Sequence, residues 1–170
     1  MKIDQSNFVV YGLALILLYP CIVGFVQISN IVSEPDYDSF PTSCDDSEFK
    51  CSRIAPNPHR STGESELRFP STSIKTISES IESWVSDESL VNEVSRSEGV
   101  DYGLHIVVKT KWMRYADDVF FHVSCDGDDV VVWIHSESRL GVGDLGVNGE
   151  RIEDIREHLM STDFEEIECS

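Results

Sequence analysis

The chain of 170 residues predicts an α+β fold: a small antiparallel sheet of three to four strands with two helices on one face, set behind one N-terminal transmembrane helix. Three features predict it. Residues 8–26 run without a charge; the stretches 104–112, 117–124 and 129–135 alternate apolar and polar positions; and the stretches 74–85 and 145–159 repeat apolar residues at three- and four-residue steps.

The uncharged run, FVVYGLALILLYPCIVGFV, continues to Val32 with Gln27, Ser29 and Asn30 as polar interruptions. As a helix, residues 8–32 are long enough to cross a hydrocarbon core of ~30 Å. The lipid bilayer is thus an expected partner, and residues 1–7 form a cytoplasmic N-terminus. Lys2 precedes the run, whereas Glu34, Asp36 and Asp38 follow it. The positive-inside rule then places the C-terminal domain outside a cell membrane that is crossed once. The run exceeds a usual signal-peptide core, and no small-x-small cleavage site follows it.

Residues 33–70 read as a flexible linker rich in Ser, Asp, Glu and Pro. In an oxidising compartment Cys44 and Cys51 are expected to close a disulfide across a short polar loop. A metal pair assisted by His59 is the alternative, although its spacing matches no standard zinc knuckle. Cys125 and Cys169 have no evident partners. From residue 71 to 160 the pattern becomes that of a domain, followed by an acidic tail at 161–170.

Within the domain, Ile74, Ile77, Ile81, Trp84 and Val85 form a helical stripe, with Ser71 or Ser73 as N-cap. Leu90–Ser97 is an expected edge strand. In the next strand Leu104, Ile106 and Val108 face opposite to His105, Lys109 and Lys111. Asp126-Gly127 predicts a hairpin turn between 117–124 and 129–135. That turn pairs Asp118 with His135 and Phe120 with Trp133, and puts Val119, Phe121 and Val123 on an apolar face. It also sets Lys111 beside Asp118. In the last helix Leu145, Asn148, Ile152, Ile155 and Leu159 share a face, Asp144 is placed to cap it, and Asn148 is a polar side chain that needs partners if buried.

Acidic residues outnumber basic ones 31 to 13, for a net charge of -18. That charge opposes binding to a phosphate backbone, so nucleic acid is excluded as a partner. It is spread along the chain and points to a high-salt setting such as a halophilic archaeon, where screening weakens repulsion between surface carboxylates.

The row Lys111, Asp118 and His135 offers a carboxylate-oriented histidine, the pairing used in acid–base catalysis. No nucleophile is placed with it, so a cross-strand salt bridge is the favoured reading. Ser138, Arg139, Asp144, Asn148 and Arg151 form a second group, either an anion site at a helix start or a network that locks the loop. Phe120 and Trp133 share the sheet face away from the helices and mark a binding surface if exposed. No metal or cofactor is expected.

The residues Tyr115-Ala116-Asp117-Asp118-Val119-Phe120-Phe121, Ile134-His135-Ser136-Glu137-Ser138-Arg139-Leu140-Gly141, Asp144-Leu145-Gly146-Val147-Asn148 and Arg151-Ile152-Glu153 resemble the motifs of domain-of-unknown-function family 1499. The likeness spans about residues 71–160. His135 stands where the family usually has Arg, Gly143 where Ser is common, and Tyr115 where Phe is usual. The resemblance implies a small membrane-linked α+β domain and brings no mechanism. The expected function is a non-catalytic binding or protein-interaction module for an unknown protein or small molecule. The alternative is a hydrolase-like enzyme using Asp118 and His135 with Arg139 or Arg151.

Overall fold

The computed structural model describes residues 5–35, 39–44, 48–164 and 169. Residues 1–4 of the expected cytoplasmic N-terminus, and 165–168 and 170 of the acidic tail, lie outside the described residues. The elements are α1 (Gln5–Val32), β1 (Cys51–Ile54), β2 (Leu67–Pro70), α2 (Ile74–Asp87), β3 (Val91–Ser97), β4 (Tyr102–Lys109), β5 (Ala116–Asp126), β6 (Asp129–Ser138) and α3 (Val147–Ser161).

All strand pairs are antiparallel. The sheet has six strands in the order β1-β6-β5-β4-β3, with β2 also on β6. This corrects the expected three to four strands. Both added strands come from the stretch read as a linker. They share one edge: β1 pairs with the second half of β6, Ile54 opposite Ile134, and β2 with the first half, Leu67 opposite Val132. Each is only four residues long, too short for an alternating pattern to stand out among the surrounding Ser, Pro and acidic residues. Pro70 ends β2 at the sheet edge, where a missing N–H is tolerated.

The expected transmembrane helix is also corrected. α1 runs 28 residues, yet among the described residues no helix is long and apolar enough to cross a membrane. Its polar side chains hold its C-terminal part on the sheet domain. Gln27 Nε2 and Asn30 Nδ2 donate to the carbonyl of Arg114 at 3.0 and 2.7 Å, and Tyr19 Oη donates to the carbonyl of Trp112 at 2.6 Å. Asn30 Oδ1 accepts from the Ala116 N–H at 3.3 Å, and Val26 and Asn30 are buried. Two of the three polar interruptions in the apolar run, Gln27 and Asn30, thus satisfy backbone polar atoms of Arg114 and Ala116.

α2 and α3 cover one face of the sheet. Ser73 caps α2 by accepting from the Thr76 N–H at 3.2 Å. Ile77, Ile81 and Trp84 pack with Ile152, Ile155 and Leu159 on Ile106, Val119, Phe121, Val132 and Ile134. Burying a large apolar side chain contributes about 1.5–3 kcal/mol each, so this layer carries most of the domain's stability. Cys125 and Cys169, without evident partners in the sequence, are joined by a disulfide.

The β5–β6 hairpin turns at Gly127-Asp128, since Asp126 pairs with Asp129. Gly127 has φ 66°, the left-handed conformation that the first position of a II′ turn requires and glycine adopts freely. Every pairing is therefore displaced by two residues from the expected one: Asp118 faces Glu137, Phe120 faces His135, and His122 faces Trp133. A shift of two preserves which side chains share a face, so the apolar face is retained. Leu145 does not join the apolar side of α3. Gly146 takes φ 91° before the helix begins, and Leu145 is fully exposed.

Candidate functional site

Both faces of the sheet carry polar or aromatic groups, and the two faces behave differently. On the helix-covered face, Asn148 is fully buried at the start of α3. Its Nδ2 donates to the Lys50 carbonyl at 2.8 Å and to Ser138 Oγ at 2.9 Å, and its Oδ1 accepts from Ser136 Oγ at 2.6 Å. Arg151 Nη1 reaches Ser136 Oγ and Asn148 Oδ1 at 2.9 and 2.8 Å, while its Nη2 pairs with Asp117 Oδ2 at 2.9 Å. Ser138 Oγ donates to Asp117 Oδ1 at 2.5 Å. The network ties α3, β5, β6 and the segment before β1 together.

Asp144 ends the same network. Its Oδ2 accepts from the Asn148 N–H and its Oδ1 from the Gly146 N–H, both at 3.0 Å. Arg60 Nη2 adds a 2.9 Å ion pair. Burial opposes ionisation of this carboxyl, but the amide bonds and Arg60 outweigh it and hold the group below the ordinary carboxylate range. An anion at this helix start would displace Asp144 from amides it already fills.

On the opposite face, Asp118 is gripped by Arg139 through two bonds, Nε to Oδ2 at 2.7 Å and Nη2 to Oδ1 at 2.8 Å. His105 Nε2 also reaches Asp118 Oδ1 at 2.7 Å; an ionised carboxylate only accepts, so this nitrogen carries the proton. Burial opposes the charge on Asp118, and Arg139 and His105 together overcome it and lower its pKa. Arg139 continues to the Asn30 carbonyl of α1 at 3.3 Å and to Glu34 at 3.2 Å.

The expected Lys111–Asp118–His135 row does not form. Lys111 lies exposed in the β4–β5 turn, with Nζ 5.9 Å from the Trp112 ring centre. His135 is fully buried against Phe120, Phe40 and Cys51, and burial pushes its pKa down despite Glu137 at 3.3 Å. Cys44 and Cys51 are bonded to each other. His59 is not with them; its Nε2 contacts the Glu48 carbonyl at 2.8 Å. Arg139 meets Asp118 and Arg151 meets Asp117, while Asp144 takes Arg60 instead of either.

Phe120 and Trp133 line a groove of about 560 Å³ on this second face. Its walls include Phe40, His105 and His122, with Ser95–Ser97 of edge strand β3 as a rim. His105 stacks on Phe120 at 3.9 Å between ring centres, and His122 lies 4.9 Å from Trp133. Phe40 closes over them, 6.2 Å from His122 and 5.9 Å from Trp133. Arg96 at the rim is occupied by Glu82 and Glu93. Trp133 is half-buried, and its indole N–H is buried without an acceptor among the described residues. The parity of β4 and β5 places His105 and His122 on this face in the sequence, but their partnership with Asp118 and Trp133 depends on the register. Nothing in the sequence ties Phe40 to them, because that contact spans 82 or more residues of chain.

Residues 42–159 match the model of a family described as protein of unknown function, DUF1499. That match reaches upstream of the region covered by the quoted motifs and includes β1 and β2. No curated protein and no solved structure matches the chain.

Proposed function

We propose that this chain, which belongs to the DUF1499 family, is a non-catalytic binding module whose recognition surface is the aromatic groove between Phe40 and β3. The observation that carries this reading is Trp133: a side chain lining a solvent-open groove keeps a buried N–H donor with no acceptor among the described residues. Such a donor costs free energy until something supplies an oxygen or nitrogen lone pair. The rings of Phe40, His122 and Trp133 offer apolar contact along the groove, with Phe120 buried beneath His105. The complementary ligand is a small planar molecule with one hydrogen-bond acceptor, and pockets of this size and mixture suit small ligands.

Catalysis by Asp118 and His135 lacks support in this geometry. Both oxygens of Asp118 are engaged by Arg139 and His105, and the sulfur beside His135, Cys51 Sγ at 3.6 Å, is held in a disulfide. The Asn148 network is likewise saturated and acts as architecture.

Titrating the ¹⁵N-labelled full chain with a library of planar aromatic fragments tests the proposal. The chain has three tryptophans, and the indole N–H of Trp84 is already bonded to Asp154 at 2.7 Å. Binding fragments should shift the Trp133 indole signal and leave that of Trp84 in place. Fragments that bind yet leave the Trp133 signal unmoved would refute the assignment.

A further inference from the structure

We propose that Cys44, Cys51 and His135 form a redox-gated site for a thiophilic divalent cation such as Zn²⁺, closed as a disulfide when oxidised and available to metal when reduced. The site borders the groove through Phe40 and Phe120, but none of its three residues lines it. Pairing of β1 with β6 builds it: Cys51 lies opposite Glu137, and Arg53 lies opposite His135. The donor atoms of Cys44, Cys51 and His135 all lie within 4.8 Å of one another, and all three residues are buried. Among the described residues no other histidine, cysteine and carboxylate group gathers in this way.

The distances suit tetrahedral coordination. His135 Nε2 is 3.6 Å from Cys51 Sγ. Ligands at about 2.3 Å (sulfur) and about 2.05 Å (nitrogen) from a tetrahedral zinc ion stand roughly 3.6 Å apart. The fourth position falls to a water molecule, since Glu137, 3.3 Å from the same nitrogen, is not among the residues whose donor atoms lie mutually within 4.8 Å. The charges also balance: the two thiolates of Cys44 and Cys51 against Zn²⁺, with a neutral His135 ligand, leave no net charge. A neutral assembly of this kind can reside in the interior, where an isolated charge is costly.

Opening the site requires a dithiol reductant. Its two thiols pass two electrons and two protons to the Cys44–Cys51 bond, which becomes two thiols while the reductant becomes a disulfide. Binding of the cation then releases both thiol protons to solvent.

The test uses the full chain with Co²⁺ as the probe, followed by Zn²⁺. After reduction with an excess of a small-molecule dithiol and its removal without air, Co²⁺ should bind at one equivalent and show thiolate-to-cobalt charge-transfer absorption. The oxidised chain should show none, a comparison that needs no variant. X-ray absorption of the Zn²⁺ form should report two sulfurs at about 2.3 Å and two lighter ligands. Cys44→Ser should lose the absorption, and the double variant Cys125→Ser, Cys169→Ser should keep it. Absence of Co²⁺ binding to the reduced chain, four sulfurs around zinc, or a signal that follows Cys125 and Cys169 would each overturn the proposal.

Discussion

His105 donates its Nε2–H to Asp118 Oδ1 across 2.7 Å, and this one bond joins the buried ion pair with Arg139 to the floor of the aromatic groove. The imidazole that Asp118 orients is the one that stacks on Phe120. Through Arg139 the same carboxylate is connected to the Asn30 carbonyl at the end of α1. Asp118 is thus a structural hub, and removing its partners has a calculable cost.

Arg139→Ala leaves Asp118 buried with one of its two cationic or polar partners gone. Breaking a buried pair from one side typically costs about 3–5 kcal/mol. Urea denaturation of the variant should show a loss in that range, whereas Arg139→Lys should lose less because a charge remains although the two-point grip does not.

The acid limb of the stability curve follows from Asp118 and Asp144, both of whose carboxyls are held below their ordinary range. A depressed folded-state pKa stabilises the fold above the unfolded value of about 4 and stops doing so as pH falls through the folded value. Stability relative to pH 7 should therefore hold down to about pH 5 and decline below about pH 4. Asp118→Asn should flatten that decline, as read from urea midpoints across pH; an unchanged slope would rule Asp118 out as a contributor.

Asn148→Ala removes the side chain that meets Lys50, Ser136, Ser138 and Arg151 at once. Each buried group left unsatisfied costs about 1–3 kcal/mol, so a loss of at least that size is expected in thermal or chemical unfolding. Because the residue lies on the helix-covered face, fragment affinity at the groove should stay within a factor of two of wild type at temperatures where the variant is folded.

The disulfide between Cys125 and Cys169 closes a segment with a sequence separation of 44. Chain entropy alone gives a contribution of about 4 kcal/mol for a loop of that length. The double variant Cys125→Ser, Cys169→Ser should lose most of this in denaturation under non-reducing conditions, and a loss below about 1 kcal/mol would contradict the entropic account.

Periodicity made the two amphipathic helices and the β4 to β6 meander legible, because alternation and helical stripes are local signals. It also assigned faces correctly, since a hairpin shifted by two residues keeps its parity. The register itself was not legible: Asp126-Gly127 and Gly127-Asp128 are overlapping turn candidates, and both put Gly127 where φ is positive, so the observed 66° does not separate them in advance. The pairing of Asp118 with His135 was lost for that reason. β1 and β2 were hidden because they gain their order from the edge of β6 and have little pattern of their own. The end of α1 looked like part of an apolar run because Gln27 and Asn30 reveal their role only when the Arg114 carbonyl is placed beside them. In the site, the capping of α3 by Asp144 and the need of Asn148 for partners followed from helix geometry, whereas Phe40 and Arg60 arrive by long-range folding that no local spacing records.

The central claim is that recognition belongs to the groove and that the polar networks only hold the fold. The most direct measurement compares the affinity of one groove-binding fragment for wild type, Trp133→Phe and Asn148→Ala by isothermal titration. Losing a single hydrogen bond of about 1 kcal/mol should weaken binding to Trp133→Phe by about fivefold, with Asn148→Ala unchanged. Unchanged affinity for Trp133→Phe together with lost affinity for Asn148→Ala would contradict the account.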